Sequence, residues 1–259
     1  MKDKIDFIGI GCQKCGTTSV FNALAMHPLI HPPKAGFKSI KTGAKNVVHK
    51  ECHYWGNQVL SLSVEQYHDK FFGTLYDRYT YGEFTPNYIL FEEALRKIRD
   101  YNQDIKLLAV FRNPVERLWS EYKMFRSKKR YKLSFRDLID KYSDLQEPRI
   151  LSPMKPEIWP IYRSCYGRQA KKVLKLFDRK NLFFLRVEEL QDFSVTIDEL
   201  FKFLGLAPIP VPELKLNTSE TPKEKIPYHE ELLDRFFLRD IELLESLLGW
   251  DCETWKRCL

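Results

Sequence analysis

Apolar runs alternate along this chain with segments whose apolar side chains recur at helical spacing. Runs at 5–10, 105–111 and 182–187 predict buried strands, and the near-continuous run at 105–111 is typical of a parallel strand covered on both faces. Helical spacing recurs at 64–72, 90–101, 162–177, 197–204 and 229–248, whereas 31–49 shows no period and is read as a surface loop. The alternation predicts one α/β domain, residues 1–259, with a mainly parallel central sheet flanked by helices.

The first strand ends in a loop that has glycine at both ends and leads directly into a helix. Residues 11–19 read Gly-Cys-Gln-Lys-Cys-Gly-Thr-Thr-Ser. Unpaired amides and the dipole at a helix N-terminus attract phosphate, glycine lets the backbone close around it, and Lys14 adds a positive charge. The segment therefore predicts a phosphate-binding loop. The alternative is an ordinary strand–turn–helix connection that happens to contain a lysine.

The position of the lysine separates this loop from the P-loop of nucleotide triphosphatases. Gly11 and Gly16 have the spacing of G-x-x-x-x-G-K-[ST], but Thr17 stands where that lysine should be, and Lys14 lies inside the loop. A lysine in that position is near the terminal group of a shorter, diphosphate-length ligand. The loop is thus P-loop-like, and its ligand is expected to differ from a nucleoside triphosphate.

Two further segments carry candidate chemistry. In an extended segment Glu51 and His53 point to the same side, which makes them a candidate acid/base pair; the alternative is a solvent-facing strand edge. Arg112 leaves the strand 105–111 at its carboxyl end, where ligands of open α/β sheets collect, so it is a candidate for a second phosphate; the alternative is a surface salt bridge. Asn113 and Pro114 then favour the start of a helix.

Charge and cysteine content narrow the possible partners. The net charge of +7 over 259 residues suits an anionic ligand but is small for a dedicated nucleic-acid binder, so no nucleic-acid partner is expected. Five of the seven residues 126–132 are basic, either as a solvated face or as a rim that attracts an anion. Of the six cysteines, Cys12 and Cys15 have C-x-x-C spacing inside the loop, but no second such pair accompanies them, so no metal site is predicted. The first apolar run is too short for a signal or membrane-spanning segment, which predicts a cytoplasmic protein with no membrane partner.

Taken together, these segments resemble the PAPS-dependent sulfotransferase superfamily. Residues 13–19 resemble its 5′-phosphosulfate loop, and residues 112–122 resemble its 3′-phosphate motif, in the expected order and in strand–loop–helix contexts. Residues 50–55 and 82–88 look most like the heparan sulfate N- and 3-O-sulfotransferase branch and its bacterial relatives. Two features depart from that branch: Phe84 stands where its glycan enzymes usually have lysine, and the chain shows no Golgi membrane anchor.

The resemblance implies in-line transfer of a sulfuryl group from PAPS to an acceptor hydroxyl or amine, without a metal, leaving PAP. In that scheme Glu51 is the base, His53 assists it or orients the acceptor, and Lys14 stabilises the leaving nucleotide. Arg112 and Ser120 are expected to bind the 3′-phosphate. The implied cofactor-binding residues are Gln13, Lys14, Cys15, Gly16, Thr17, Thr18, Ser19, Arg112 and Ser120 and, by looser analogy, Lys223 and Lys225.

The acceptor and two other functional classes remain open from the sequence. A small hydroxylated metabolite is favoured over a heparan-like glycan by the missing anchor, by Phe84 and by nearby aromatic residues, namely Tyr54, Trp55, Tyr88 and Trp159. A degenerate P-loop kinase or NTPase would need an acidic magnesium ligand, for which Glu188 and Glu189 are the candidates. A non-catalytic nucleotide- or glycan-binding module using 126–132 is the third possibility, and a base beside the loop argues against it.

Overall fold

Parallel strands form the centre of the molecule. The computed structural model describes residues 1–34, 39–41, 47–56, 62–143, 159–212 and 225–257. The strands are β1 (Phe7–Gly11), β2 (Ile30–His31), β3 (Ser39–Lys41), β4 (Val47–His49), β5 (Thr80–Phe84), β6 (Lys106–Phe111) and β7 (Leu182–Arg186). Five of them form one parallel sheet in the order β2-β5-β1-β6-β7, which confirms the predicted α/β class with its parallel central sheet.

Helices flank this sheet. They are α1 (Thr17–Leu24), α2 (Val64–Phe71), α3 (Glu92–Tyr101), α4 (Pro114–Ser127), α5 (Phe135–Lys141), α6 (Tyr166–Leu176), α7 (Phe193–Leu204), α8 (His229–Leu232) and α9 (Leu238–Leu248). The ends of two of these helices have clear causes. The side chain of Asn113 accepts hydrogen bonds from the Val115 and Glu116 amides at the start of α4, and Gly205 ends α7 in the left-handed conformation.

Two segments differ from the sequence prediction. Residues 31–49 were expected to be loop, but β2 extends the main sheet, and β3 pairs antiparallel with β4. These strands have only two or three residues, too few for an apolar period to show. The predicted long helix 229–248 contains a π-helical turn at Leu233–Phe237 between α8 and α9, which no hydrophobic pattern distinguishes from regular helix.

The strand order fixes where a ligand can bind. β1 lies between β5 and β6, so the chain leaves the carboxyl end of β1 at the point where its neighbours lie on opposite sides. In open parallel sheets this edge forms a crevice. The carboxyl ends of β1, β5 and β6 are followed by the phosphate loop, by Thr85 and by Arg112 respectively, which brings all three segments to one edge.

Close packing between β1 and β5 supports this edge. Phe84 is completely buried, and a Cβ added to Gly9 would lie 2.1 Å from Phe84 Cγ. The position where glycan sulfotransferases usually have lysine is therefore filled here by a core side chain packed on the central strand. Phe84 also meets Phe21 of α1 in an edge-to-face contact with ring centroids 6.4 Å apart.

We expect Gly9→Ala to lower the free energy of unfolding by about 2–3 kcal/mol, because the new methyl group collides with a buried ring that has no room to move. Chemical denaturation measures this change. Glu242→Ala, on the exposed face of α9, serves as the control and should change stability by less than about 0.5 kcal/mol. Equal stability of the two variants would contradict the close packing of β1 on β5.

Candidate active site

The phosphate loop joins β1 to α1 and leaves the first amides of that helix without a side-chain cap. Lys14 and Gly16 both have left-handed backbone, with φ of 72° and 79°. Gly16 is the N-cap residue and has no side chain to bond the helix amides, and the first turn of α1 contains no acidic residue. Unpaired N–H groups at the positive end of a helix dipole are the groups that bind phosphate. The loop therefore fits an anion such as a phosphosulfate.

Three cations converge on this loop. The pKa of the Lys14 ammonium is lowered, first by burial and then by the positive charges of Lys128 and Arg112. The charge of the predicted Arg112 and that of Lys128, from the basic segment 126–132, therefore both act on this loop lysine. The rest of that segment is exposed apart from Tyr131.

Arg112 has a carboxylate partner. Its Nε and Nη2 both donate to Glu116 Oε2, at 2.9 and 2.6 Å. Ser120, the other predicted 3′-phosphate ligand, is half-buried one turn further along α4. Arg112, Glu116 and Ser120 follow one another at four-residue spacing, so a phosphate bound by Arg112 and Ser120 would meet the Glu116 carboxylate as well.

The predicted acid/base pair is in contact. Glu51 is buried, its Oε2 lies 2.9 Å from His53 Nε2, and its Oε1 lies 3.7 Å from Lys50 Nζ. Strand alternation was the expected cause, but no regular strand forms at 51–53, and His53 has a left-handed φ of 52°. A bend, rather than an extended segment, joins the carboxylate to the imidazole.

A buried carboxylate holds this bend in place. Glu83 of β5 is completely buried and accepts hydrogen bonds from three hydroxyl groups and one amide, those of Tyr67, Tyr88, Thr85 and Cys52. Thr85 Oγ1 in turn accepts the backbone N–H of His53 at 3.2 Å. Burial raises the pKa of Glu83, and the hydrogen bonds from Thr85, Cys52 and Tyr67 oppose that effect. The network ties residues 52–53 to the central sheet.

Lys50 is a site residue that the sequence analysis missed. Its side chain is buried, and Nζ donates to Thr17 Oγ1 at 3.0 Å and to Thr18 Oγ1 at 3.4 Å. In a regular strand Lys50 would point away from Glu51, so alternation placed it outside the site. Its adjacency to Glu51 was the only signal in the sequence.

Arg163 was also missed. It lies within the predicted helix 162–177, just before α6 begins, yet it is 6% exposed, and its Nη1 donates to Gln13 Oε1 at 2.7 Å. Its Nη1 also lies 3.6 Å from Glu121 Oε2, and Glu121 in turn forms a buried ion pair with Arg117. Buried arginine is rare unless paired, and only the tertiary structure supplies the pairing carboxylate.

The other predicted cofactor-binding residues occupy different environments. Cys15 is fully buried with Sγ 3.5 Å from Tyr166 Oη, and Ser19 is buried in α1, so their side chains face the interior. Lys225 is exposed and, within the described residues, makes no hydrogen bond or ion pair with the loop. Lys223 lies outside the described residues, as does most of the proline-rich segment that precedes Trp159.

The acidic residues considered for magnesium have other partners. Glu189 Oε1 accepts a hydrogen bond from Arg186 Nε at 2.8 Å, and Glu188 Oε1 accepts one from Trp255 Nε1 at 2.8 Å. Over the described part of the chain, His, Cys, Asp and Glu side chains form no cluster of three or more that could hold a metal ion. In the same residues no helix has the length and apolar character needed to cross a membrane.

Sequence comparison identifies the class that this loop and fold define. The profile of the sulfotransferase domain matches residues 4–221, so the chain belongs to the sulfotransferase domain family. Mouse heparan sulfate glucosamine 3-O-sulfotransferase 6 is 26% identical over 198 residues, covering 76% of this chain and 51% of the mouse protein. Human bifunctional heparan sulfate N-deacetylase/N-sulfotransferase 3 is 26% identical over 214 residues, covering 78% and 22%. The chain spans about half the length of the first relative and less of the second.

Solved structures agree with this assignment. A sulfotransferase from Alicyclobacillus acidocaldarius is 25% identical with a TM-score of 0.74, covering 98% of this chain and 99% of that one. A mouse sulfotransferase complexed with PAP shares the fold at 11% identity and a TM-score of 0.51, covering 99% and 87%. The predicted resemblance to the superfamily and to its heparan sulfate branch is confirmed. The family uses PAPS, and PAP is bound in the mouse structure.

The lowered pKa of Lys14 predicts an alkaline limit on nucleotide binding. Lys14 should lose its charge as the pH rises through a value below the ordinary 10.5, and PAP affinity should fall there. Lys128→Gln removes a repulsive charge, so the fall should move to higher pH. Titration calorimetry from pH 7 to 10.5 measures it.

Lys132→Gln is the matched control, because it removes the same charge from an exposed residue of the same segment that is not among the main charges acting on Lys14. The midpoint should not move in this variant. An equal displacement in both variants, or none in Lys128→Gln, would contradict the proximity of Lys128 to Lys14.

Proposed function

We propose that this protein transfers a sulfuryl group from PAPS to an acceptor hydroxyl, with Glu51 as the base. One observation carries the proposal. The buried Glu51 carboxylate is bonded to His53 and lies 3.7 Å from Lys50, whose ammonium bonds the hydroxyl of Thr17 in the phosphate loop. A carboxylate base thus lies beside the loop that fits the phosphosulfate, where an in-line attack on sulfur needs one.

The residues around the base have distinct proposed roles. Glu51 removes the acceptor proton, and His53, held by its hydrogen bond to Glu51, orients the carboxylate or the acceptor. Lys14 and the amides of Gly16, Thr17 and Thr18 stabilise the negative charge that develops on the nucleotide side. PAPS, when bound, supplies the sulfuryl group, and no metal is required in this scheme.

Arg112 and Ser120 are proposed to bind the 3′-phosphate. Arg112 already bonds Glu116, but its guanidinium has five N–H donors and the pair uses two of them, so donors remain for a phosphate. Lys128, near Lys14 on an exposed segment, adds attraction for the dianionic groups of the nucleotide. Contacts of Lys223 and Lys225 with the nucleotide remain a prediction.

Two acceptor classes are proposed. The expected cytoplasmic location favours a small hydroxylated metabolite. Of the aromatic residues that also favoured it, however, Trp55 and Tyr88 are buried in the core, and Tyr54 stacks on Tyr67 with centroids 4.3 Å apart. The heparan sulfate relatives and the cation Lys128 near the loop favour an anionic glycan. Incubation with PAPS and each class of acceptor, followed by mass spectrometry for a gain of one sulfate, distinguishes them.

Nucleotide binding tests the function directly. PAP should raise the melting temperature, because a ligand that binds only the folded state stabilises it by about 2.7 kcal/mol at 100 times its Kd, which is about 5–10 °C for a chain of this size. ATP with magnesium should shift it far less, because it lacks the 3′-phosphate. A shift with ATP and magnesium but none with PAP would overturn the proposal and restore the kinase alternative.

The base is tested by Glu51→Gln. This variant keeps the shape of the side chain but cannot accept the proton, so kcat should fall at least about 100-fold while PAP affinity stays within about threefold. His53→Ala should reduce kcat less, by about tenfold. If Glu51→Gln retains turnover and His53→Ala abolishes it, His53 is the base instead.

A further inference from the structure

One lysine, Lys50, donates hydrogen bonds to two side chains of the phosphate loop, those of Thr17 and Thr18. Lys50 Nζ lies 3.0 Å from Thr17 Oγ1 and 3.4 Å from Thr18 Oγ1. An ammonium group has three donors and no acceptor, so both threonine oxygens must accept in these contacts. Each hydroxyl has a single hydrogen, and that hydrogen must point away from Lys50. The two hydroxyl groups are therefore left to donate to an acceptor on the side away from Lys50.

The side-chain amide of Gln13, also in the phosphate loop, is oriented by a hydrogen bond from Arg163. Arg163 Nη1 lies 2.7 Å from Gln13 Oε1, and a guanidinium group only donates. The opposite orientation of the amide would place its NH2 group against the arginine donor. Arg163 thereby assigns the oxygen of Gln13 to the protein side and leaves the NH2 group facing away.

We propose that Lys50 and Arg163 are positioning residues that set the hydrogen-bond polarity of the phosphate loop. Each occupies the acceptor atoms of loop side chains, so the loop presents hydrogens to the phosphosulfate anion. Phosphate and sulfuryl oxygens only accept, and a lone pair turned toward them would repel the anion. The inference rests on the proposed function, because it requires the anion to bind at residues 13–18.

Burial and ion pairing keep both cations in these positions. Lys50 is 3% exposed and lies 3.7 Å from Glu51 Oε1, and Arg163 is 6% exposed and lies 3.6 Å from Glu121 Oε2. A nearby carboxylate offsets part of the cost of burying each charge. Lys14, by contrast, is only half-buried. Lys50 also links the two halves of the site, since it contacts both the loop and the proposed base.

Double-mutant cycles measured by calorimetric titration with PAP, and with PAPS in the absence of acceptor, test the proposal. Lys50→Met and Thr17→Val, and separately Arg163→Met and Gln13→Leu, should each weaken binding about 10- to 100-fold. Each double variant should be no weaker than the weaker of its two single variants, because the cation acts through the side chain that was removed. Losses that multiply in the double variants would overturn the proposal.

Affinities measured at high ionic strength distinguish an effect on hydrogen-bond direction from long-range electrostatic attraction. Lys128→Met removes an equal charge near Lys14 without removing a hydrogen bond to the loop, so its loss of affinity should largely disappear at high ionic strength. The losses in Lys50→Met and Arg163→Met should persist there. If they disappear together with that of Lys128→Met, the two cations act only through long-range attraction, and the proposal is wrong.

Conservative variants keep the test valid if the methionine variants fail to fold. Lys50→Arg and Arg163→Lys keep a donor at each position, so they should retain most of the affinity whether or not the methionine variants fold. Loss of binding in folded conservative variants equal to that of Thr17→Val or Gln13→Leu would contradict the role of the donors. If the unmodified protein binds neither PAP nor PAPS, the proposed function fails; if it binds both and the cycles are additive, only the polarity inference fails.

Discussion

The pairing of β1 with β5 on one side and β6 on the other is the constraint on which the site depends. It places the phosphate loop, the turn after Phe84 and the start of α4 at one edge of the sheet. Gly9 is part of this constraint, because any side chain there would push Phe84 and its strand away. The relative positions of the loop, Glu51 and Arg112 thus follow from core packing.

Charge at this edge is arranged in two layers. Lys14 is half-buried and Lys128 is exposed. Lys50, Arg163 and Arg117 are buried, and each has a carboxylate partner. The outer layer is suited to attract an anion and the inner layer to hold the loop in shape. The helix amides bind an anion well only if the loop around them keeps its geometry. The buried cations are suited to maintain that geometry, which explains why the site has them in addition to the unpaired amides.

Much of the fold and half of the site could be predicted from the sequence. Strands such as β6 and the loop from Gly11 to Thr18 are local patterns, and the order of the two phosphate motifs led to the family. The two- and three-residue strands escaped because pairing rather than propensity makes them. Lys50, Glu83 and Arg163 escaped for a different reason: each is a charged residue that is buried because a partner distant in sequence accepts or donates its hydrogen bonds, and one sequence does not show such partners.

The network around Glu83 makes the position of the segment carrying His53 depend on hydroxyl groups of other elements. The segment carrying Cys52 and His53 is anchored by hydroxyl groups of Tyr67 in α2 and Tyr88 after β5, rather than by a regular ladder of backbone bonds. Each donor is a single oxygen atom, so replacement of either tyrosine by phenylalanine keeps the hydrophobic pattern of the chain and still leaves a buried carboxylate short of one partner. Exchanges between these two aromatic residues, harmless in most cores, are therefore costly here, and the bend that carries Glu51 and His53 depends in part on a hydroxyl group of helix α2.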